Sequence, residues 1–151
     1  MQRRESAMRR PHETGNVGVE HGRWGEDVAA AALRRKGYVI VERNVHPCAR
    51  DRRLEIDIVA YDREADAMVF VEVKQHCERS PLQRRLRSID KRKLRNLRRV
   101  FNAWRRVNRW NGAYRFDVVE VYGEPGSGRP EVDHVERVRI FGTAERFVRW
   151  D

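Results

Sequence analysis

Two segments, Leu54–Tyr61 (LEIDIVAY) and Met68–Gln75 (MVFVEVKQ), constrain this chain most. Both are rich in Val, Ile and aromatic residues, and the polar run Asp62–Asp66 separates them, so together they read as a β-hairpin. Side chains alternate between the faces of a strand. Phe70, Glu72 and Lys74 therefore share one face, and Val69, Val71 and Val73 share the other. With the turn centred between Glu64 and Ala65, Asp57 stands opposite Glu72. Like charges directly opposite destabilise a sheet, and a carboxylate inside an apolar strand is costly without a partner. Two acids placed this way call for a cation, and oxygen donors of this kind suit Mg²⁺ or Mn²⁺. Lys74 adds an ammonium on the same side, able to stabilise charge on a phosphate. The plainer alternative is a Glu72–Lys74 or Asp57–Lys74 ion pair on a solvated sheet face.

The rest of the chain supplies a framework for that hairpin. Trp24, Val28, Ala29, Ala32 and Leu33 recur at helical spacing, which predicts a helix from near Arg23 to Lys36 with Gly37 as its stop. A strand over Tyr38–Val45 follows, then the hairpin. A long helix is expected over Ile89–Val107, with Ile89, Lys93, Leu97, Val100, Phe101 and Trp104 on its inner stripe. Tyr114–Tyr122 (YRFDVVEVY) reads as a fourth strand, Gly123–Pro130 as a linker, Val132–Phe141 as an edge strand and Glu145–Trp150 as a terminal turn. Helix, three strands, helix, strand, strand favours one α/β domain, a mixed sheet flanked by helices. Composition assigns residues 1–20 to a flexible basic tail and 21–151 to the domain. Glu26 falls in the first turn of the first expected helix, on a small-residue face with Ala29, Ala30 and Leu33. An acid there points inward, although any early Glu also complements the helix dipole.

Charge points to the partner. The chain carries 33 Lys and Arg against 23 Asp and Glu. Thirteen of those cations and one acid, Asp90, lie between Arg79 and Arg109, so that stretch is +12 and the remainder −2. Clustered positive charge suits a polyanion, and nucleic acid gains affinity by releasing counterions. A solvated helix face is the alternative. No apolar run approaches the roughly 20 residues of a membrane span, and the first 18 residues contain no apolar stretch of the kind a secretory signal has. Two cysteines, Cys48 and Cys77, make no disulfide framework. A cytoplasmic protein with reduced thiols is expected. His46, Cys48, His76 and Cys77 lack the paired spacing of a zinc site and read as polar loop residues.

The combination of Trp24-Gly25-Glu26, Gly37-Tyr38, Arg43-Asn44, Glu55-Ile56-Asp57, Phe70-Val71-Glu72-Val73-Lys74, Lys93 and Arg115-Phe116-Asp117-Val118-Val119 resembles the YraN-like family over about residues 23–122. That family is similar to archaeal Holliday-junction resolvases of the PD-(D/E)XK superfamily. The resemblance implies a restriction-endonuclease-like fold and a Mg²⁺ or Mn²⁺ nuclease, with DNA a better substrate than RNA and branched DNA a candidate. It implies that Glu26, Asp57 and Glu72 hold the metal, that Lys74 is the catalytic lysine, and that Gln75 and Lys93 meet substrate. Arg92, Arg95 and Arg99 of the basic helix would track phosphates. Resolvase-like nucleases are often dimers, so a homodimer is expected by analogy. The chain departs from the family pattern at Leu54, where a glycine is usual, at the loop His46–Asp51, and at Gln75-His76-Cys77, where basic residues usually follow. A non-catalytic nucleic-acid-binding module on the same fold remains the alternative.

Overall fold

The computed structural model describes residues 17–79 and 91–138. Seven elements follow in order: α1 (Val17–Arg35), β1 (Val39–Val45), β2 (Ile56–Asp62), β3 (Ala67–His76), α2 (Lys91–Asn108), β4 (Ala113–Tyr122) and β5 (Glu131–Val135). The five strands form one sheet in the order β1-β2-β3-β4-β5. Every neighbouring pair is antiparallel except β3 and β4, which run parallel. α2 is the crossover that this parallel pair requires. The chain is thus a single α/β domain, consistent with a restriction-endonuclease-like fold.

Local chemistry sets the boundaries. α1 ends in a Schellman turn: the Gly37 amide donates to Arg34 O at 2.9 Å and the Tyr38 amide to Leu33 O at 3.1 Å. Gly37 takes φ +90° there, a conformation that carries no Cβ penalty in glycine. The helix begins at Val17, six residues before the expected start, and takes in residues 17–20 of the stretch read as tail. Gly18 and Gly22 mask it in the sequence, since each weakens a helix by about 1 kcal/mol. The strand expected over Val132–Phe141 spans Glu131–Val135. Residues 139–141, the turn expected over Glu145–Trp150 and Ile89 of the expected inner stripe lie outside the described residues.

The two faces of the sheet are packed differently. α1 lays Ala29, Ala30 and Leu33 on Ile58, Ala60, Val69, Val71, Val119 and Val121. Small residues bring this helix close, and Gly25 brings it closest: a Cβ there would stand 3.0 Å from Gln75 Cβ. α2 covers the other face with large side chains, Leu97, Val100, Phe101 and Trp104 against Val59, Met68, Phe70 and Phe116. Phe70 meets Phe101 and Trp104 edge-to-face, each at 5.1 Å between centroids, the arrangement that aromatic quadrupoles favour. Trp104 Nε1 donates to Glu42 Oε2 at 2.6 Å and so ties α2 to β1.

A buried ionic network closes the α1 side. Arg115 donates to Asp117 at 3.1–3.2 Å, to Asp62 Oδ2 at 2.6 Å and to the Tyr38 hydroxyl at 2.6 Å. Asp117 also accepts from the Arg137 amide at 3.0 Å and contacts His134 Nε2 at 2.8 Å. Burial opposes ionisation of Asp117, but His134, Arg115 and the Arg137 amide outweigh it and hold the carboxyl below its ordinary range. Burial also works against the Arg115 guanidinium, and Asp117 and Asp62 more than offset it. The Arg115-Phe116-Asp117 run therefore anchors β1, β2 and β5 to β4.

Candidate active site

β3 is the element that presents the chemistry. Its first half is buried in both cores, while Glu72, Lys74 and Gln75 are half-buried. The β2–β3 register pairs Ile58 with Val71 and Asp62 with Ala67, which fixes the turn centre between Glu64 and Ala65 and brings Asp57 opposite Glu72. The described ladder stops at Ile58 and Val71. Just beyond, the Val73 amide donates to Asp57 Oδ2 at 2.7 Å. That bond turns the Asp57 carboxylate onto the backbone between Glu72 and Lys74. Glu72 Oε2 is buried, and Glu72 lines a small crevice with Ile56, Phe70, Leu97 and Phe116. The hairpin alone thus gathers two carboxylates and one ammonium where its ladder ends, with Glu72 on the α2 side of the sheet.

Glu26 arrives from α1. The contact of Gly25 with Gln75 sets the helix down beside β3. Glu26 faces β1, where Arg43 Nη2 stands 3.8 Å from its Oε2. Burial pushes the Glu26 carboxyl above its ordinary range; a hydrogen bond from Asn44 and the Arg43 charge pull it back, and Glu55 and Asp27 push it up again. Asn44 lies between the register pairs Arg43–Ile58 and Val45–Ile56, and so opposite Asp57. It takes φ +50°, a conformation that Asn tolerates better than other residues with a Cβ. Asn44 therefore links the Glu26 carboxylate to the strand position facing Asp57. Among the described residues, no three His, Cys, Asp or Glu side chains form a metal-holding group. The structure joins Asp57 to Glu72-Val73-Lys74 and Glu26 to Arg43 and Asn44, and Asn44, opposite Asp57 on β1, stands between the two sets.

Asn44 and Glu120 emerge here although spacing alone gave them no role. Lys74 pairs with Glu120 across the parallel β3–β4 ladder, and His76 with Tyr122. Glu120 is only 4% exposed. Its Oε2 accepts from the Tyr122 hydroxyl at 3.1 Å and its Oε1 lies 3.7 Å from His76 Nε2. A third acid thus flanks the lysine. The signal was present in YRFDVVEVY as a carboxylate on an apolar strand, the same signal that marks Glu72. His46 stands 3.9 Å from Glu55, Cys48 packs on the α2-side core and Cys77 is exposed.

The basic helix presents what its sequence promised. Leu97, Val100, Phe101 and Trp104 are buried, while Arg92, Arg95 and Arg99 are exposed. Arg99 reaches to 3.7 Å from Asp51 Oδ2 in the β1–β2 connection. Lys93 lies on α2, and its side chain falls outside the described residues. No helix among the described residues is long and apolar enough to cross a membrane.

Residues 25–121 match the uncharacterised protein family UPF0102. A UPF0102 protein of Streptomyces griseus is 39% identical over 120 residues, covering 78% of this chain and 93% of its own length. One of Syntrophomonas wolfei is 35% identical over 120 residues, covering 77% and 94%. One of Thermotoga petrophila is 38% identical over 114 residues, covering 75% and 91%. The matched stretch runs from Gly25, on which α1 is seated, to Val121 at the end of β4, and so takes in every carboxylate of the site. On this evidence, and in keeping with the YraN-like resemblance of its motifs, the chain belongs to the UPF0102 family.

Proposed function

We propose that this chain is a metal-dependent nuclease that hydrolyses phosphodiester bonds, with DNA favoured over RNA. The observation that carries the reading is the 2.7 Å bond from the Val73 amide to Asp57 Oδ2, which sets Asp57 against Glu72 and Lys74. The donor set is all carboxylate oxygen, and Glu72 Oε2 is buried, a chemistry that fits Mg²⁺ or Mn²⁺. Asp57 and Glu72 would hold the ion, with Glu26 completing the set from α1. Such an ion supplies positive charge for the phosphate and acidifies a water. Lys74 neutralises charge that develops on the phosphate oxygens. Asn44 orients Glu26, and the exposed arginines of α2 fix the substrate backbone, which positions a duplex without reading its sequence.

The test compares wild type with Asp57→Ala and Glu72→Ala on branched, flapped, duplex and single-stranded substrates in Mg²⁺ and in Mn²⁺. Cutting by wild type that either substitution abolishes supports the reading. Absence of cutting on every substrate with both metals, or equal cutting by the variants, ends it. One observation favours a second reading, a binding module without catalysis: Glu26 is engaged by Arg43 and Asn44 and stands in no described group of three ligands. That reading expects salt-sensitive binding that ignores metal and survives Asp57→Ala.

A further inference from the structure

α2 connects the end of β3, beside the candidate site, to the start of β4, which pairs with Ala67 at the hairpin end of the sheet. The helix therefore runs from the site to the far end of the same face. At 3.6 residues per turn, Arg92, Arg95, Arg99 and Arg106 fall within about 60° of one another. All four are exposed and lie opposite the buried stripe of Leu97, Val100, Phe101 and Trp104. From Arg92 to Arg106 the ridge covers fourteen helical rises, or about 21 Å at 1.5 Å each.

Past Arg106, about 100° around the helix from it, the chain presents an apolar patch. Val107 continues the buried stripe at the i+3 position from Trp104, yet it is 72% exposed. The stripe has outrun the sheet beneath it. Beside it the chain turns back through Trp110, whose indole lies over Gly112 and whose Nε1 donates to Ala113 O at 3.2 Å. Trp110 meets Tyr61 edge-on at 6.4 Å; both are partly buried at the margin of the α2-side core, and the Tyr61 hydroxyl donates to Asp66 Oδ1. Arg63, two residues from Tyr61, and Arg106 and Arg109, four and one residues from Trp110, are exposed. Aromatic faces framed by guanidinium groups suit unpaired bases, which stack without regard to sequence while their phosphates take the charge.

We infer that α2 guides a single strand of nucleic acid from the site to a stacking platform made by Val107, Trp110 and Tyr61. This deepens the nuclease reading by naming substrates with an unpaired arm, and it rests on that reading for its meaning though not for its test. At 3.4 Å per nucleotide, the ridge accommodates about six nucleotides. A duplex can meet the arginines but cannot offer its paired bases to the platform.

Binding by the full chain is measured by fluorescence anisotropy in EDTA, which separates it from cutting. The probes are oligodeoxythymidylates of 4, 8 and 12 nucleotides and a 12-base-pair duplex. Single strands of 8 and 12 nucleotides are expected to bind at least about tenfold more tightly than the 4-mer, because only they engage the ridge and the platform together. Val107→Asp should weaken single-strand binding about tenfold and leave duplex binding within about twofold, and Arg109→Glu, which reverses a charge that a duplex can also meet, should weaken the single strand about fivefold more than the duplex. Val107 is exposed, so its substitution spares the core; an unchanged melting temperature confirms this, and Arg109→Glu repeats the test at a second position. Equal loss for single strand and duplex, or no loss for single strand, overturns the inference. A protein that binds single strands this way yet cuts nothing would retain the platform and lose the nuclease reading.

Discussion

Asp117 carries more of the architecture than any other acid. It has no exposed side-chain surface, and Arg115, His134 and the Arg137 amide occupy both of its oxygens. Removing one member of such a network leaves the buried Arg115 guanidinium short of a partner, so Asp117→Asn should cost about 3–5 kcal/mol in urea unfolding. The pH dependence has a definite sign. Folding depresses the Asp117 carboxyl, so its stabilisation is in full force above the ordinary carboxylate range and fades as pH drops toward the folded value. The gap between wild type and Asp117→Asn should therefore narrow on acidification; a gap that widens would contradict the assignment. Asn44 makes the complementary case on the site side. Gly accepts the same φ of +50° but offers no amide to Glu26. Asn44→Gly should thus keep the fold and lower the proposed nuclease activity about 10–100-fold, the range found when a group supporting a metal ligand is lost. Equal activity would remove Asn44 from the site.

The elements differ in how openly the sequence announces them. β2, β3 and the inner stripe of α2 were legible because period-2 and period-3.6 patterns survive in their apolar residues. The start of α1 was not, because Gly18 and Gly22 disfavour a helix and Val17 and Val19, two residues apart, lack helical spacing. Gly25 was legible only as part of a motif, and its reason is steric: a Cβ would press on Gln75 Cβ at 3.0 Å and Cγ at 3.3 Å. Gly22, one turn earlier, has nothing within 4 Å. The two glycines should therefore respond oppositely. Gly22→Ala should stabilise α1 by about 0.5–1 kcal/mol through helix propensity alone. Gly25→Leu should cost about 1–3 kcal/mol by overpacking, and it should weaken Mn²⁺ binding as well, because it lifts Glu26 from the sheet. Paired urea titrations of the two variants separate these effects. Loss of stability at Gly22 would mean that its surface has a partner.

At the scale of the whole molecule, the sequence located charge better than it located convergence. The hairpin register could be counted out, so the meeting of Asp57 with Glu72 was legible in advance. The approach of Glu26 depends on how α1 crosses the sheet, which the seating of Gly25 on Gln75 sets and which no local pattern encodes. Glu120 stayed hidden for a related reason: a parallel ladder joins strands separated by α2, and its register cannot be counted through a turn. The +12 segment, by contrast, needed no geometry, and the exposure of Arg92, Arg95 and Arg99 gives it a measurable consequence. If these three contact phosphates, each releases about one counterion, and the slope of log affinity against log salt on a duplex should fall by about 0.9 for each arginine replaced by Ala. The triple variant should then lose close to three units of slope while its melting temperature holds, since none of the three is buried. Arg99 is the discriminating member, because its contact with Asp51 at 3.7 Å gives it a second role. If that contact outlasts binding, Arg99→Ala will leave the slope where it was while the other two still lower it, and the phosphate track will run along Arg92 and Arg95 alone.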